Sequence, residues 1–80
     1  MSMEIKVLGP GCPKCKSLEK LVQETVQEMQ LDATITKVED IMEIMQYNII
    51  ATPALVINGK VVLKGVFPSK VQLQTILSTN

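Results

Sequence analysis

The sequence contains no histidine, no tryptophan and no arginine. The missing imidazole excludes Ser-His-Asp and Cys-His nucleophilic mechanisms and the histidine-based zinc hydrolases. The missing guanidinium removes the usual bidentate partner of phosphate and guanine. Aromatic residues are reduced to Tyr47 and Phe67, and eight lysines balance eight acidic residues. Neither the electrostatic attraction nor the stacking surface of a nucleic-acid binder is present, so we expect no nucleic-acid partner. Uninterrupted apolar runs extend only a few residues, too short for a membrane-spanning helix. The start Met1-Ser2-Met3-Glu4 lacks the basic and apolar stretches of a secretory signal. The expectation is a cytoplasmic protein with no membrane association.

What remains is an 80-residue chain that is 46% hydrophobic. That is enough for one domain, taken as residues 1–80, with a core built mostly from Val, Ile, Leu and Met. A domain of this size buries only about 60% of the surface its unfolded chain exposes, so its margin of stability is thin.

Residues 3–8 are rich in branched apolar side chains and stop at Gly9-Pro10-Gly11, the pattern of a strand running into a tight loop. Leu18, Leu21, Val22, Thr25, Val26 and Met29 recur with helical spacing and define one apolar face. Pro13 stands where a first-turn proline costs nothing, since its absent N–H would be unpaired there. A second strand is predicted over 33–38. Asp40 with Glu43 predicts the capped start of a short helix running to Met45 or Tyr47, with Asn48 as its stop. Ala54-Leu55-Val56-Ile57 reads as a strand covered on both faces. Asn58-Gly59 is a strong hairpin signal, which makes Lys60-Val61-Val62-Leu63 the return strand. Ser69 with Gln72 caps a last helix whose apolar side is assigned to Val71, Leu73, Ile76 and Leu77. The order β-α-β-α-β-β-α predicts an α/β domain: a four-stranded mixed sheet with helices on its faces.

The two cysteines stand three apart in Cys12-Pro13-Lys14-Cys15, at the predicted strand-to-helix junction. Three readings compete. In the first they form a cycling dithiol. A helix N-terminus favours thiolate, and Lys14 and Lys16 add positive charge. Cys12, at the loop's edge, would attack; Cys15, one turn further in, would resolve the mixed disulfide; Pro13 would restrain the loop. In the second, the two thiolates capture a soft metal, Cu(I) or part of a zinc site. Small copper carriers have a different element order and usually a Met-x-Cys start, whereas Pro10 precedes Cys12 by two. In the third, the cysteines are structural; so short a loop gains little from closure. The strand-loop-CxxC-helix context points to the first. Thr52-Pro53 precedes the buried strand. A cis proline there would present the backbone of Thr52 as an edge for an extended substrate.

Together, Gly9-Pro10-Gly11, Cys12-Pro13-Lys14-Cys15, Thr52-Pro53 and the Asn58-Gly59 hairpin resemble the thioredoxin superfamily over roughly residues 3–77. The chain looks closest to its minimal thioredoxin- or glutaredoxin-like members in archaea and bacteria, described as redox-active disulfide proteins. The resemblance implies a thiol-disulfide oxidoreductase acting on protein disulfides. It implies a nucleophilic Cys12, a resolving Cys15, a cis Pro53 beside them and no cofactor or resident metal. Three features depart from the pattern. Gly11 replaces the tryptophan that precedes the first cysteine in ordinary thioredoxins, and Lys6 holds the offset of their buried aspartate. Gly65-Val66-Phe67-Pro68-Ser69 replaces the acidic glutathione-binding turn of glutaredoxins. The expected reductant is therefore a thioredoxin-reductase-like protein, and the expected state is a monomer. Met29, Met42 and Met45 are read as core gap-fillers. Lys60, Lys64 and Lys70 are read as solvated surface and edge protection. Phe67 and Ile49-Ile50-Ala51 are divided between an apolar rim around the cysteines and plain core.

Overall fold

The computed structural model describes residues 3–10, 13–49 and 51–79. Strand β1 (Met3–Leu8) buries Ile5, Val7 and Leu8 and leads through Gly9 toward helix α1 (Pro13–Glu28). Strand β2 (Ala33–Val38) returns parallel to β1, and helix α2 (Ile41–Met45) follows it. Strands β3 (Ala54–Ile57) and β4 (Lys60–Lys64) form an antiparallel hairpin, and helix α3 (Lys70–Thr79) ends the fold. The strand order is β2-β1-β3-β4, with β3 antiparallel to β1. This is the four-stranded mixed α/β sheet that the element order predicts.

Each face of the sheet has its own core. Ile5, Val7, Leu55 and Ile57 meet Leu18, Val22 and Val26 of α1 and Leu73 and Leu77 of α3. On the other face, Leu8, Ala54 and Val56 meet Val38, Ile44 and Ile49. All four residues of β3 are buried, as a strand flanked on both sides and covered on both faces must be. The edge strand β2 alternates between half-buried and exposed positions over its first four residues.

Local chemistry accounts for the ends of the elements. The Asp40 side chain accepts a hydrogen bond from the Met42 amide and caps α2. Ser69 and Gln72 cap α3 reciprocally: the Ser69 amide donates to Gln72 Oε1 (2.9 Å) and the Gln72 amide to Ser69 Oγ (3.2 Å). Helix α1 closes with Gln30 at φ 54 and the Leu31 amide on the Val26 carbonyl, a left-handed cap made without glycine. Asn58 and Gly59 both have positive φ, which matches the twist of a two-residue hairpin. Asn58 also reaches across to β1, where its Oδ1 accepts from the Glu4 amide.

Two assignments of the sequence reading are corrected. Met42 (71% exposed) and Met45 (60%) are surface residues; of the three methionines so read, Met29 alone packs against a core. Val71 is 70% exposed, so α3 buries Leu73 and Leu77 and half-buries Ile76.

Candidate active site

The site lies where β1 gives way to α1. Helix α1 begins at Pro13, the residue after Cys12, and Cys15 sits in its first turn. Pro13 and Lys14 are exposed; Cys15 is 1% exposed. Cys15 is disulfide-bonded, and no described cysteine is a free thiol. The predicted residues Gly11 and Cys12, and Ile50 of the rim, lie outside the described residues.

The neighbour that fixes Cys15 is Gly9. A Cβ built on Gly9 would clash with the Cys15 Sγ and stand 2.8 Å from its Cβ. The sulfur therefore rests on bare backbone at the end of β1. That backbone is itself anchored, since the Gly9 amide donates to the Val38 carbonyl of β2 (2.9 Å). Sequence reasoning treated Gly9 only as the stop of a strand. Its missing side chain is what seats the sulfur.

The second predicted element meets the same end of the sheet. Register pairs Leu8 with Ala54, so Gly9 and Pro53 lie at one end of the central strand pair. The Thr52–Pro53 peptide is cis; Pro53 is buried and Thr52 is exposed. The Gly65 amide holds the Pro53 carbonyl (2.8 Å). Gly65 adopts φ +66, and a Cβ there would stand 2.6 Å from the Ala51 Cβ. Glycine is thus required twice over, by conformation and by space. Neither role was readable from the sequence, where Gly65 stood out only as part of a replaced motif. Of the divided rim, Ile49 is core, Ala51 is exposed and Phe67 is 44% exposed.

Lys6 faces the α2 side of the sheet. Its Nζ donates to the Tyr47 hydroxyl (3.1 Å) and lies 3.3 Å from Glu4 Oε1. The Tyr47 hydrogen bond and then the Glu4 contact hold its ammonium above the usual lysine value. The pair ties the central strand to the turn after α2, from which the chain runs on to Thr52 and Pro53. Among the described residues no cluster of three or more metal-ligating side chains occurs.

Cys15, Gly9 and the cis Pro53 thus meet at one end of a four-stranded mixed α/β sheet, and comparison with known proteins gives the class. The thioredoxin domain family model matches residues 3–78. A thioredoxin of Methanothermobacter thermautotrophicus is 34% identical over 76 residues, covering 95% of this chain and 99% of the relative. A thioredoxin of Methanocaldococcus jannaschii is 33% identical over 75 residues, covering 94% and 86%. The crystal structure of the germline-specific thioredoxin Deadhead from Drosophila melanogaster superposes with a TM-score of 0.69. It has 14% identity and 98% and 80% coverage, a likeness of fold. The chain belongs to the thioredoxin family, and it is a protein-disulfide oxidoreductase.

Proposed function

We propose that Cys12 and Cys15 form the working dithiol of this protein. The observation that carries the assignment is the burial of Cys15 in the first turn of α1, against Gly9. A sulfur so enclosed cannot reach a disulfide on another protein, but it can attack one formed on its near neighbour in sequence. Cys12 is then the attacking residue. Its thiolate, favoured by the positive end of α1, displaces one sulfur of a substrate disulfide and forms a mixed disulfide. Cys15 next attacks the Cys12 sulfur, and the substrate leaves as a dithiol. Two electrons pass to the substrate, and the protein is left with a Cys12–Cys15 disulfide. A thioredoxin-reductase-like dithiol returns it to the reduced state. The exposed backbone at Thr52, held through Pro53 by Gly65, offers the edge on which an extended substrate lies. Pro13 and Lys14 complete the motif, one stiffening its start and the other adding positive charge, and Gly11 precedes Cys12 in sequence as a supporting residue. The protein works as a monomer in the cytoplasm, where thiols are kept reduced and disulfides are transient and catalytic.

Single-cysteine variants test the roles. Cys12→Ser is expected to abolish insulin reduction. Cys15→Ser is expected to accumulate a mixed disulfide with substrate, visible by non-reducing electrophoresis and mass. Trapping by Cys12→Ser instead would reverse the roles, and trapping by neither would refute the mechanism.

A further inference from the structure

Lys6 breaks the apolar pattern of the central strand. It pairs with Thr36 on one side and with the fully buried Val56 on the other. Leu8, two residues on and on the same face, belongs with Val56, Ile44 and Ile49 to the α2-side core. An aliphatic residue at position 6 would extend that core. The lysine side chain is instead 30% exposed and ends on Glu4 and on the Tyr47 hydroxyl, 41 residues away. Tyr47 packs half-buried against the same core. Asn48 then turns the chain at φ 58, Ile49 returns to the core, and Ala51 and Thr52 emerge exposed before the cis peptide. The segment is thus fastened to the sheet by Lys6 at Tyr47, by apolar packing at Ile49 and by Gly65 at the Pro53 carbonyl.

We propose, on the reading that Thr52 offers the substrate edge, that Lys6 acting through Tyr47 is a positioning residue that sets the lie of that edge for an extended protein substrate. Apolar burial is non-directional, so Ile49 holds the segment down on the sheet without fixing its heading. A hydrogen bond is directional, and the one from Lys6 Nζ fixes where the turn after α2 sits over β1. The anchor is rigid, because β1 is paired on both sides. Lys6 Nζ also stands 5.9 Å from the centroid of the Tyr47 ring, so ring and hydroxyl are both engaged. An incoming strand needs its receiving backbone extended and in register. The exchange of thiol and disulfide does not pass through this edge. Loss of the latch therefore weakens binding of peptide disulfides and spares the chemistry of the dithiol.

The test uses the whole chain, at a temperature where each variant is folded, with Tyr47→Phe, which keeps the ring, Lys6→Met, which keeps the stem, and the two combined. Each single variant is expected to raise the KM for insulin roughly three- to tenfold at unchanged kcat, the range of one lost hydrogen bond. The double variant should be no worse than the poorer single, as for two partners of one contact. Turnover of a small aromatic disulfide without a peptide backbone should stay parental, and so should the reduction potential. Amide shifts read the latch without the dithiol cycle: in the isotopically labelled disulfide form, Ala51 and Thr52 should move in both single variants. Unmoved amides there would overturn the latch and leave the dithiol reading standing. Moved amides with a parental insulin KM would overturn the proposal together with the substrate edge. Equal losses on insulin and the small disulfide, or a shifted potential, would place the effect on the dithiol and overturn the positioning role.

Discussion

Gly9→Ala is expected to cripple disulfide exchange while leaving a folded protein. The added methyl must occupy space held by the Cys15 sulfur, so either that sulfur or the end of β1 has to move. Neither yields easily. Gly9 is hydrogen-bonded to Val38, and Cys15 is fixed in the first turn of a helix whose next turns are clamped in the core by Leu18 and Val22. Overpacking of this kind costs about 1–3 kcal/mol. Each kcal/mol lowers the melting temperature of a domain this size by roughly 4–8 °C. Because the displaced atom is the reacting sulfur, the penalty differs between the oxidised and reduced forms. A difference of about 1.4 kcal/mol moves a two-electron couple by roughly 30 mV. Gly9→Ala should therefore shift the reduction potential by up to roughly 60 mV, the limit in which the whole penalty falls on one form, and Gly9→Val should lose insulin reduction altogether. A variant that melts early but keeps the parental potential would make Gly9 a packing residue only.

Leu55→Ala carries the largest expected effect on stability. Leu55 is fully buried on β3, paired with Val7 on one side and Leu63 on the other, in the core beneath α1 and α3. Truncating a leucine in such a place costs about 2–5 kcal/mol. Domains of this length hold roughly 0.05–0.15 kcal/mol per residue in total, so one change consumes a large part of the margin. Urea unfolding should show a much lower midpoint with an unchanged slope. Leu55 also lies two residues beyond Pro53, so partial opening of β3 would disturb the substrate edge. Loss of activity in step with unfolding is the expected pattern. A midpoint within a few tenths of a molar of the parent would show that the core is not organised around β3.

The parts of this fold that the sequence discloses are those set by short-range pattern. The period of α1, the continuous run of β3, the Asn58-Gly59 turn and the reciprocal Ser69–Gln72 cap each involve residues a few positions apart. Errors arose where residue type was taken for direction. Val71 lies two residues from Leu73, about 200° around the helix, and therefore faces away from the buried stripe. In the five-residue α2, one position, Ile44, reaches the core; Met42, two residues away, points outward. The motif Cys12-Pro13-Lys14-Cys15 was legible as chemistry, but the surface that seats Cys15 was not. Gly9 and Cys15 meet because β1 ends beside the first turn of α1. Gly65 meets Ala51 and Pro53 because β4 pairs with β3. Such contacts depend on how elements assemble, and no local pattern encodes them.

The most direct test of the account is a redox titration of the chelator-treated protein across graded dithiol buffers, with alkylatable thiols counted by mass. The account predicts one cooperative two-electron transition between zero and two thiols, within the range of about −120 to −270 mV spanned by known CxxC oxidoreductases. Failure of Cys12 and Cys15 to close an intramolecular disulfide anywhere in that range would contradict it.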